Sequence, residues 1–468
     1  MDAPRRVAYD VMRAISQGAY ANLELPKRLR AARLHGRDAA FVTELVYGAS
    51  RLRGRYDPIV ARGAGRELSQ IDADVLDVLR LGAHQLLGMR VDAYAAVDAS
   101  VALAREVLGT GRAGFVNAVL RRVSEKDEAA WLDILTRDLE PGSAAELAVT
   151  QSHPEWVVRA LQGALVGHDD DPGAGAQIDA LLGADNEPAA VSLVARPGLA
   201  DREELIDAGA DPSTTSPIGA VLRSGGDPGD IRAVREGRAA VQDEGSQVVT
   251  LAALAAAADL VGTAPGQRWL DLCAGPGGKA ALLAAASIEA DSTVFANDAS
   301  EHRTRLVDQA VGAALDAGAD VYVGTGDGRE IGAEEPESFD LVLLDAPCTG
   351  LGALRRRPEA RWRREPDDVG ALSRLQGQLL DSAVAATRPG GLIAYVTCSP
   401  HLAETRYVVA DALARHPELE QLDARPYVRD AAGEPLTDTG AGPSVQLWPH
   451  RHGTDAMFLA FLRRGPGD

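Results

Sequence analysis

Lysine is nearly missing from this 468-residue chain: Lys27, Lys126 and Lys279 are its only three, so basic chemistry falls to arginine. Planar, permanently charged Arg suits phosphate recognition. Cysteine is equally scarce, at three, and Cys273, Cys348 and Cys398 lack the paired spacing of a zinc site. That excludes a disulfide framework and leaves free thiols and no metal as the expectation. Aromatic residues make up only 4%. No apolar stretch, the Ala-rich run from Val248 to Val261 included, reaches the roughly 18–20 residues that span a bilayer. The N-terminal Met-Asp-Ala-Pro-Arg-Arg leads into an amphipathic pattern without the apolar core of a signal peptide, so a cytoplasmic protein is expected.

What is present is ordinary for globular proteins: 46% hydrophobic and 25% charged residues, which exclude wholesale disorder and a fibre. The length argues for two or three domains. A net charge of −20 disfavours a nucleic-acid partner on average, but the charge is uneven. Up to Arg66 there are thirteen Lys/Arg against six Asp/Glu, and a second basic cluster runs from Arg355-Arg356-Arg357 to Arg361, Arg363 and Arg364. An arginine run is by default a solvated face; here it also suits a backbone-binding stripe.

Helical spacing dominates the first ~125 residues, as in Val7, Val11 and Ile15, and predicts five or six helices. Glu128 to Ser152 reads as a linker or bridging helix, and His168 to Gly175 as a surface loop. Short apolar runs from Pro188 to Gln247 predict a small α+β subdomain. From Gly266 the pattern alternates strands (Arg268–Leu272, Thr293–Ala296, Val321–Val323, Leu341–Leu344, Leu392–Val396) with helix-sized segments (Ala280–Ala286, Glu301–Leu315, Leu372–Ala386). That alternation predicts a doubly wound parallel sheet, which binds ligands beyond the carboxyl ends of its strands.

The chemistry-bearing residues fall at those ends. Cys273-Ala274-Gly275-Pro276-Gly277-Gly278-Lys279 follows the first strand, with glycines for a tight turn against a ligand. Gly275 to Ala280 formally satisfies a dinucleotide pattern, whereas a P-loop is excluded by Cys273 and Ala280 at its defining positions. Asp298 closes the second strand, 23 residues after Gly275, where a carboxylate can accept from ribose hydroxyls. Asp327 follows the third strand, where one could take an adenine amino group. The fourth strand ends Asp345-Ala346-Pro347-Cys348 and the fifth Thr397-Cys398-Ser399, so two thiols are expected in the cleft. A buried Cys is usually a small hydrophobe; two at neighbouring strand ends, one beside an Asp, suggest nucleophilic chemistry.

Taken in order, Cys273 to Lys279, Asp345 to Cys348 and Thr397 to Ser399 resemble motifs I, IV and VI of the S-adenosylmethionine-dependent RNA 5-methylcytosine methyltransferases. The helical region through Asn117-Ala-Val-Leu-Arg-Arg122 resembles a NusB-like RNA-binding domain, and Ser152-His-Pro-Glu-Trp156 and Val241-Gln-Asp-Glu-Gly-Ser-Gln247 resemble the connecting subdomain. The resemblance implies an all-α NusB-like domain over 1–127, linker helices and an α+β subdomain over 128–247, and a Rossmann-like methyltransferase domain over 248–468. It implies S-adenosyl-L-methionine as cofactor, held by Cys273 through Lys279, Asp298, Asp327 and Asp345. Cys398 would be the nucleophile that adds to carbon 6 of cytosine, Cys348 would assist release, and Asp345 would also contact the base. The implied partner is small-subunit (16S) ribosomal RNA with an unstacked target base, bound by a monomer. Two positions depart from the family: Gly275 replaces the commoner second Ala, and Thr454-Asp455-Ala456-Met457-Phe458 stands where Asp-Gly-Phe-Phe is usual.

Three other readings are open: a transfer-RNA methyltransferase, disfavoured by the NusB-like region; an NAD-dependent oxidoreductase, which leaves the two cleft cysteines unexplained; and a non-catalytic RNA-binding factor, disfavoured by the intact cofactor loop.

Overall fold

Val7, Val11, Val42, Leu45, Val75, Leu79, Val116 and Leu120, spaced as successive helix turns require, are all buried in one core with Trp131. The computed structural model, which describes residues 2–223 and 226–465, divides into two units. The first comprises the chain up to Ala160, Ile178–Pro188 and Leu354–Arg364. Among the described residues up to 125 it has seven α-helices, not five or six: Ala3–Ser16, Ala21–Ala32, Gly36–Arg51, Arg53–Ala64, Ala73–Leu87, Ala93–Leu108 and Thr110–Val123. Only Leu52 separates the third from the fourth, and only Gly109 the sixth from the seventh, breaks that the apolar period runs across.

The segment 128–247 is shared between units. Helices Glu128–Thr136, Ala144–Thr150 and Ile178–Asn186 lie in the first, whereas the strands that follow lie in the second.

The second Arg cluster also behaves differently from expectation. Leu354–Arg364 sits in the helical unit, and its arginines are not a solvated row. Arg361 is completely buried; its Nη1 donates to the Ser152 carbonyl at 3.0 Å and Asn186 Oδ1 at 2.8 Å, and its Nη2 to the Asp185 carbonyl at 3.0 Å. Arg363 donates to the Ile15 and Ala19 carbonyls, and Trp362 Nε1 to the Ser50 carbonyl at 2.8 Å. These acceptors lie at or just beyond helix ends, where carbonyls lack intrahelical donors. The guanidinium forks complete those ends, and Arg357, over the Tyr20 ring, is the kind of exposed arginine the sequence suggested throughout.

Asp185, in the same pocket, is buried with neither carboxyl oxygen hydrogen-bonded, and His153 Nε2 is 3.8 Å away. Burial, against the pull of Arg361, pushes its carboxyl up to about 7. An acid with a raised folded pKa holds its proton longer in the folded state, so it costs stability as pH climbs from about 4 to 7. Asp185→Asn is expected to leave thermal unfolding unchanged at pH 4 and to stabilise by about 2 kcal/mol at pH 8; calorimetry at the two pH values checks this.

In the second unit, β1 (Val191–Ala195), β2 (Asp211–Pro212), β3 (Gly219–Leu222) and β4 (Ala239–Val241) form, among the described residues, an antiparallel sheet in the order β2-β3-β1-β4. Its core of Leu193, Leu205, Ala220 and Ile231 is its own. The larger sheet contains β5 (Arg268–Asp271), β6 (Thr293–Asp298), β7 (Asp320–Thr325), β8 (Phe339–Asp345), β9 (Thr387–Thr397), β10 (Leu419–Leu422), β11 (Val445–Gln446) and β12 (Phe458–Arg464). Its order is β10-β12-β9-β8-β5-β6-β7, with β11 on β12. Pairing is parallel from β7 to β9, as alternation predicts, and antiparallel for β12 and β10, which correct the all-parallel expectation. Alternate residues serve opposite faces: Leu341 and Leu343 pack with Val248, Ala252 and Phe461, while Val342 and Leu344 pack with Leu379, Leu380 and Phe458. A sheet covered on both faces explains the unbroken apolar strands. Among the described residues, no helix is long and apolar enough to cross a membrane.

His168 also departs from expectation: it ends the helix Glu155–Asp169, is buried, and Nε2 donates to the Pro400 carbonyl at 2.8 Å. Burial holds its pKa down at about 4, so the ring is a neutral donor.

Candidate active site

β5 stops at Asp271 because the chain must turn, and Gly275 (φ +56°) and Gly277 (φ +92°) take the left-handed backbone that the turn needs. At Gly277 a Cβ would lie 2.8 Å from Ala310 Cβ and 2.9 Å from Val307 Cα, so no side chain fits. The helix Gly278–Ala290 starts directly after, with its first amides free of intrahelical acceptors. Gly275 N donates to Asp298 Oδ2 at 3.0 Å, and Ser300 N to Asp298 Oδ1 at 2.9 Å. Asn297, which the sequence reading passed over, donates to the Leu272 and Gly326 carbonyls, both at 3.1 Å, and ties three strand ends together. The structure thus brings Asp298 to the glycine turn.

Asp271, also unremarked in the sequence, is completely buried at this end of β5. Neither of its oxygens has a partner in good hydrogen-bond geometry, the Cys273 amide approaching outside it. Burial, then the charge of Asp345, pushes its carboxyl up to about 7. Cys273 is surrounded by the same acids; burial first and then Asp271, Asp345 and Asp298 raise its thiol, which keeps it neutral. It therefore lacks the electropositive setting of a nucleophile.

Across the turn, Lys279 Nζ donates to Asp345 Oδ2 at 2.7 Å. Burial opposes the ammonium charge, but Asp345, with Cys398 and Asp271 in Coulombic reach, raises its pKa, so Lys279 is a buried cation. At the ends of the paired strands β8 and β9, Cys348 Sγ and Cys398 Sγ are 3.4 Å apart. The hydrogen bond between the sulfurs, then burial and the charges of Cys398, Glu404 and Asp345, hold the Cys348 proton. A neutral thiol donating to its neighbour is what such a pair can supply.

Gly352 secures the Cys398 backbone: its N–H donates to the Cys398 carbonyl at 2.9 Å, and its carbonyl accepts from Ala456 N at 2.8 Å. The unusual Ala456-Met457 pair therefore lies one residue from the Cys398 chain, with Met457 buried against Leu343 and Val396 in the sheet core. Asp327 stands apart from the cysteines. It forks onto Arg329, whose guanidinium lowers its carboxyl to about 2, and lines a cleft with Glu330, Gln378 and Asp381. Residues that sequence reasoning missed, Asp271, Asn297, Gln376 and Glu404, share one property: each is a polar side chain with little or no exposure whose role is set by what surrounds it.

Residues 259–463 match the family described as 16S rRNA methyltransferase RsmB/F, and residues 2–125 the NusB family. The Mycobacterium tuberculosis protein Rv1407 is 48% identical over 466 residues, covering 99% of this chain and 97% of its own. The ribosomal RNA small subunit methyltransferase B of Pseudomonas syringae pv. tomato is 30% identical, covering 98% and 96%. Among solved structures, the crystal structure of PH0851 superposes with a TM-score of 0.80 over 99% of both chains at 21% identity, a likeness of fold. With both families matched and a relative of 30% identity aligned over 98% of this chain, the chain belongs to the RsmB/F family of S-adenosylmethionine-dependent RNA methyltransferases.

Proposed function

We propose that this methyltransferase acts on carbon 5 of a cytosine in small-subunit (16S) ribosomal RNA, with Cys398 as its nucleophile. The observation that carries the reading is the 3.4 Å contact of Cys348 with Cys398 at adjoining strand ends, where Asp345 carries its Lys279 partner. The residues suit the methyl donor: Gly277 admits no side chain beside the turn, Asp298 keeps lone pairs for ribose hydroxyls, and the orphaned Asp271 carboxyl lies at the same strand end. Cys273 through Lys279 would hold its methionine part, Asp298 its ribose, and Asp327 would lie by its adenine. S-adenosyl-L-methionine, when bound, supplies an electrophilic methyl group.

Carbon 5 of cytosine is a weak nucleophile. The Cys398 thiolate adds to carbon 6 and places electron density on carbon 5. Lys279 supplies the nearby positive charge that favours a thiolate, and it holds Asp345 where a carboxylate can accept from the cytosine amino group. After methylation, the carbon 5 proton passes to a base or water. The C5–H electron pair forms the C5=C6 bond, and the C6–S pair leaves with the Cys398 sulfur. The Cys348 S–H, 3.4 Å away, stabilises that departing sulfur by hydrogen bonding. The NusB family match and the names of the curated relatives favour ribosomal over transfer RNA.

The test incubates the protein with methyl-labelled donor and deproteinised small-subunit RNA, with transfer RNA in parallel, then digests to nucleosides. Label should co-migrate with 5-methylcytidine from the ribosomal RNA. Label on another nucleoside rejects the mechanism, and label confined to transfer RNA rejects the substrate.

A further inference from the structure

Parallel pairing of β8 and β9 runs to Asp345 opposite Val396, and one more backbone bond, from Ala346 N to the Val396 carbonyl at 2.9 Å, closes the ladder. The cysteines come two residues later, beyond its grip. Glu404 stands there, completely buried. One carboxylate oxygen accepts from Thr349 N at 2.7 Å and Gln376 Nε2 at 3.3 Å; the other accepts from the Thr349 hydroxyl and from Ser399 Oγ at 2.7 Å. Thr349 follows Cys348 and Ser399 follows Cys398, so one side chain grips the residue next to each thiol. Gln376 also donates to the Pro347 carbonyl at 2.8 Å, on the other side of Cys348. The Glu404 backbone is anchored in turn, its carbonyl accepting from the Tyr395 hydroxyl at 2.8 Å.

We propose that Glu404 is the positioning residue of the thiol pair, setting the spacing of Cys348 and Cys398 from beneath both loops. The inference rests on the proposed role of those thiols, but its geometry does not. All four donors are neutral, so no cation offsets the carboxylate charge within its hydrogen-bond set. Cys348 faces that charge along with Cys398 and Asp345, and Tyr395 lies within reach of its sulfur. A carboxylate beside Cys348 discourages a thiolate there.

The test follows iodoacetamide alkylation of each cysteine by mass spectrometry between pH 6 and 10 in the ligand-free full chain, for wild type, Glu404→Gln, Glu404→Asp and Ser399→Ala. Glu404→Gln removes the charge at constant size; Cys348 should be alkylated about tenfold faster at pH 8, the equivalent of one pKa unit. Glu404→Asp, which keeps the charge, should restore most of the wild-type profile. Methyl transfer by Glu404→Gln should lose about tenfold in kcat with KM for RNA within about twofold, a split that general loss of folded protein does not give. If Glu404→Gln misfolds by circular dichroism, Ser399→Ala, which keeps the carboxylate and loses one donor, should shift the Cys348 profile about threefold. Unchanged alkylation of both cysteines in a folded Glu404→Gln, or in Ser399→Ala where that variant serves, overturns the proposal. Since alkylation needs no RNA, a wild type that fails to methylate cytosine refutes the function reading while these profiles still decide the role of Glu404.

Discussion

Cys398→Ala is expected to lose methyl transfer by at least about 10³-fold, roughly 4 kcal/mol of transition-state stabilisation, while binding both donor and RNA as wild type does. Without the sulfur there is no bond to carbon 6 and no electron density delivered to carbon 5, and nothing else in the site replaces it. Cys273 sits among Asp271, Asp298 and Asp345 with its proton held. Cys348 is held likewise, and its hydrogen-bond partner would be gone. Cys348→Ala should behave in the opposite manner. The first bond forms, but the departing sulfur loses its donor, so a covalent protein–RNA complex should accumulate on denaturing gels. The double variant should show neither product nor complex. Methylation by Cys398→Ala, or complex formation by the double variant, would contradict the assignment.

Arg361→Ala is expected to destabilise the helical unit by about 4 kcal/mol, because it strips two carbonyls and one amide oxygen of buried charged donors and leaves a cavity among them. In a unit of this size that lowers Tm by about 10 °C. Arg361→Lys should recover little, since an ammonium cannot fork between the Ser152 and Asp185 carbonyls and Asn186. Arg357→Ala, in the same cluster but exposed, should change Tm by less than about 2 °C. Thermal unfolding followed by circular dichroism separates the two; equal melting of Arg361→Ala and wild type would show that the segment is not an anchor.

These arginines mark where sequence reasoning ran out. Their charge is legible in a string of letters, but a guanidinium that binds phosphate and one that completes a helix end carry the same letter. His168 misled for a similar reason: its Asp-Asp-Asp-Pro-Gly sequel reads as a loop, and the loop begins only after the ring has entered the protein. The strand ends were readable because backbone geometry forces them: apolar runs of strand length, each followed by a small or acidic residue, stand side by side whatever else folds. Cys348 and Cys398 are 50 residues apart in sequence, and parallel register alone brings their strands together. The antiparallel strands were harder to see. β12 is as apolar as β8, but it follows no helix-sized segment, so alternation does not announce it. Glu404 was invisible for a deeper reason, since its significance comes from four donors on three other segments.

The position of β12 has a consequence for synthesis. Phe458 pairs with Thr397, the residue before Cys398, and the strand inserts between β9 and β10. A nascent chain that has passed Cys398 must therefore grow by another sixty residues or so before β9 acquires its second neighbour. Until then the strand leading to the thiol is an open edge, with one ladder of backbone groups unpaired. The Cys398 sulfur is thus framed only once β12 has been made.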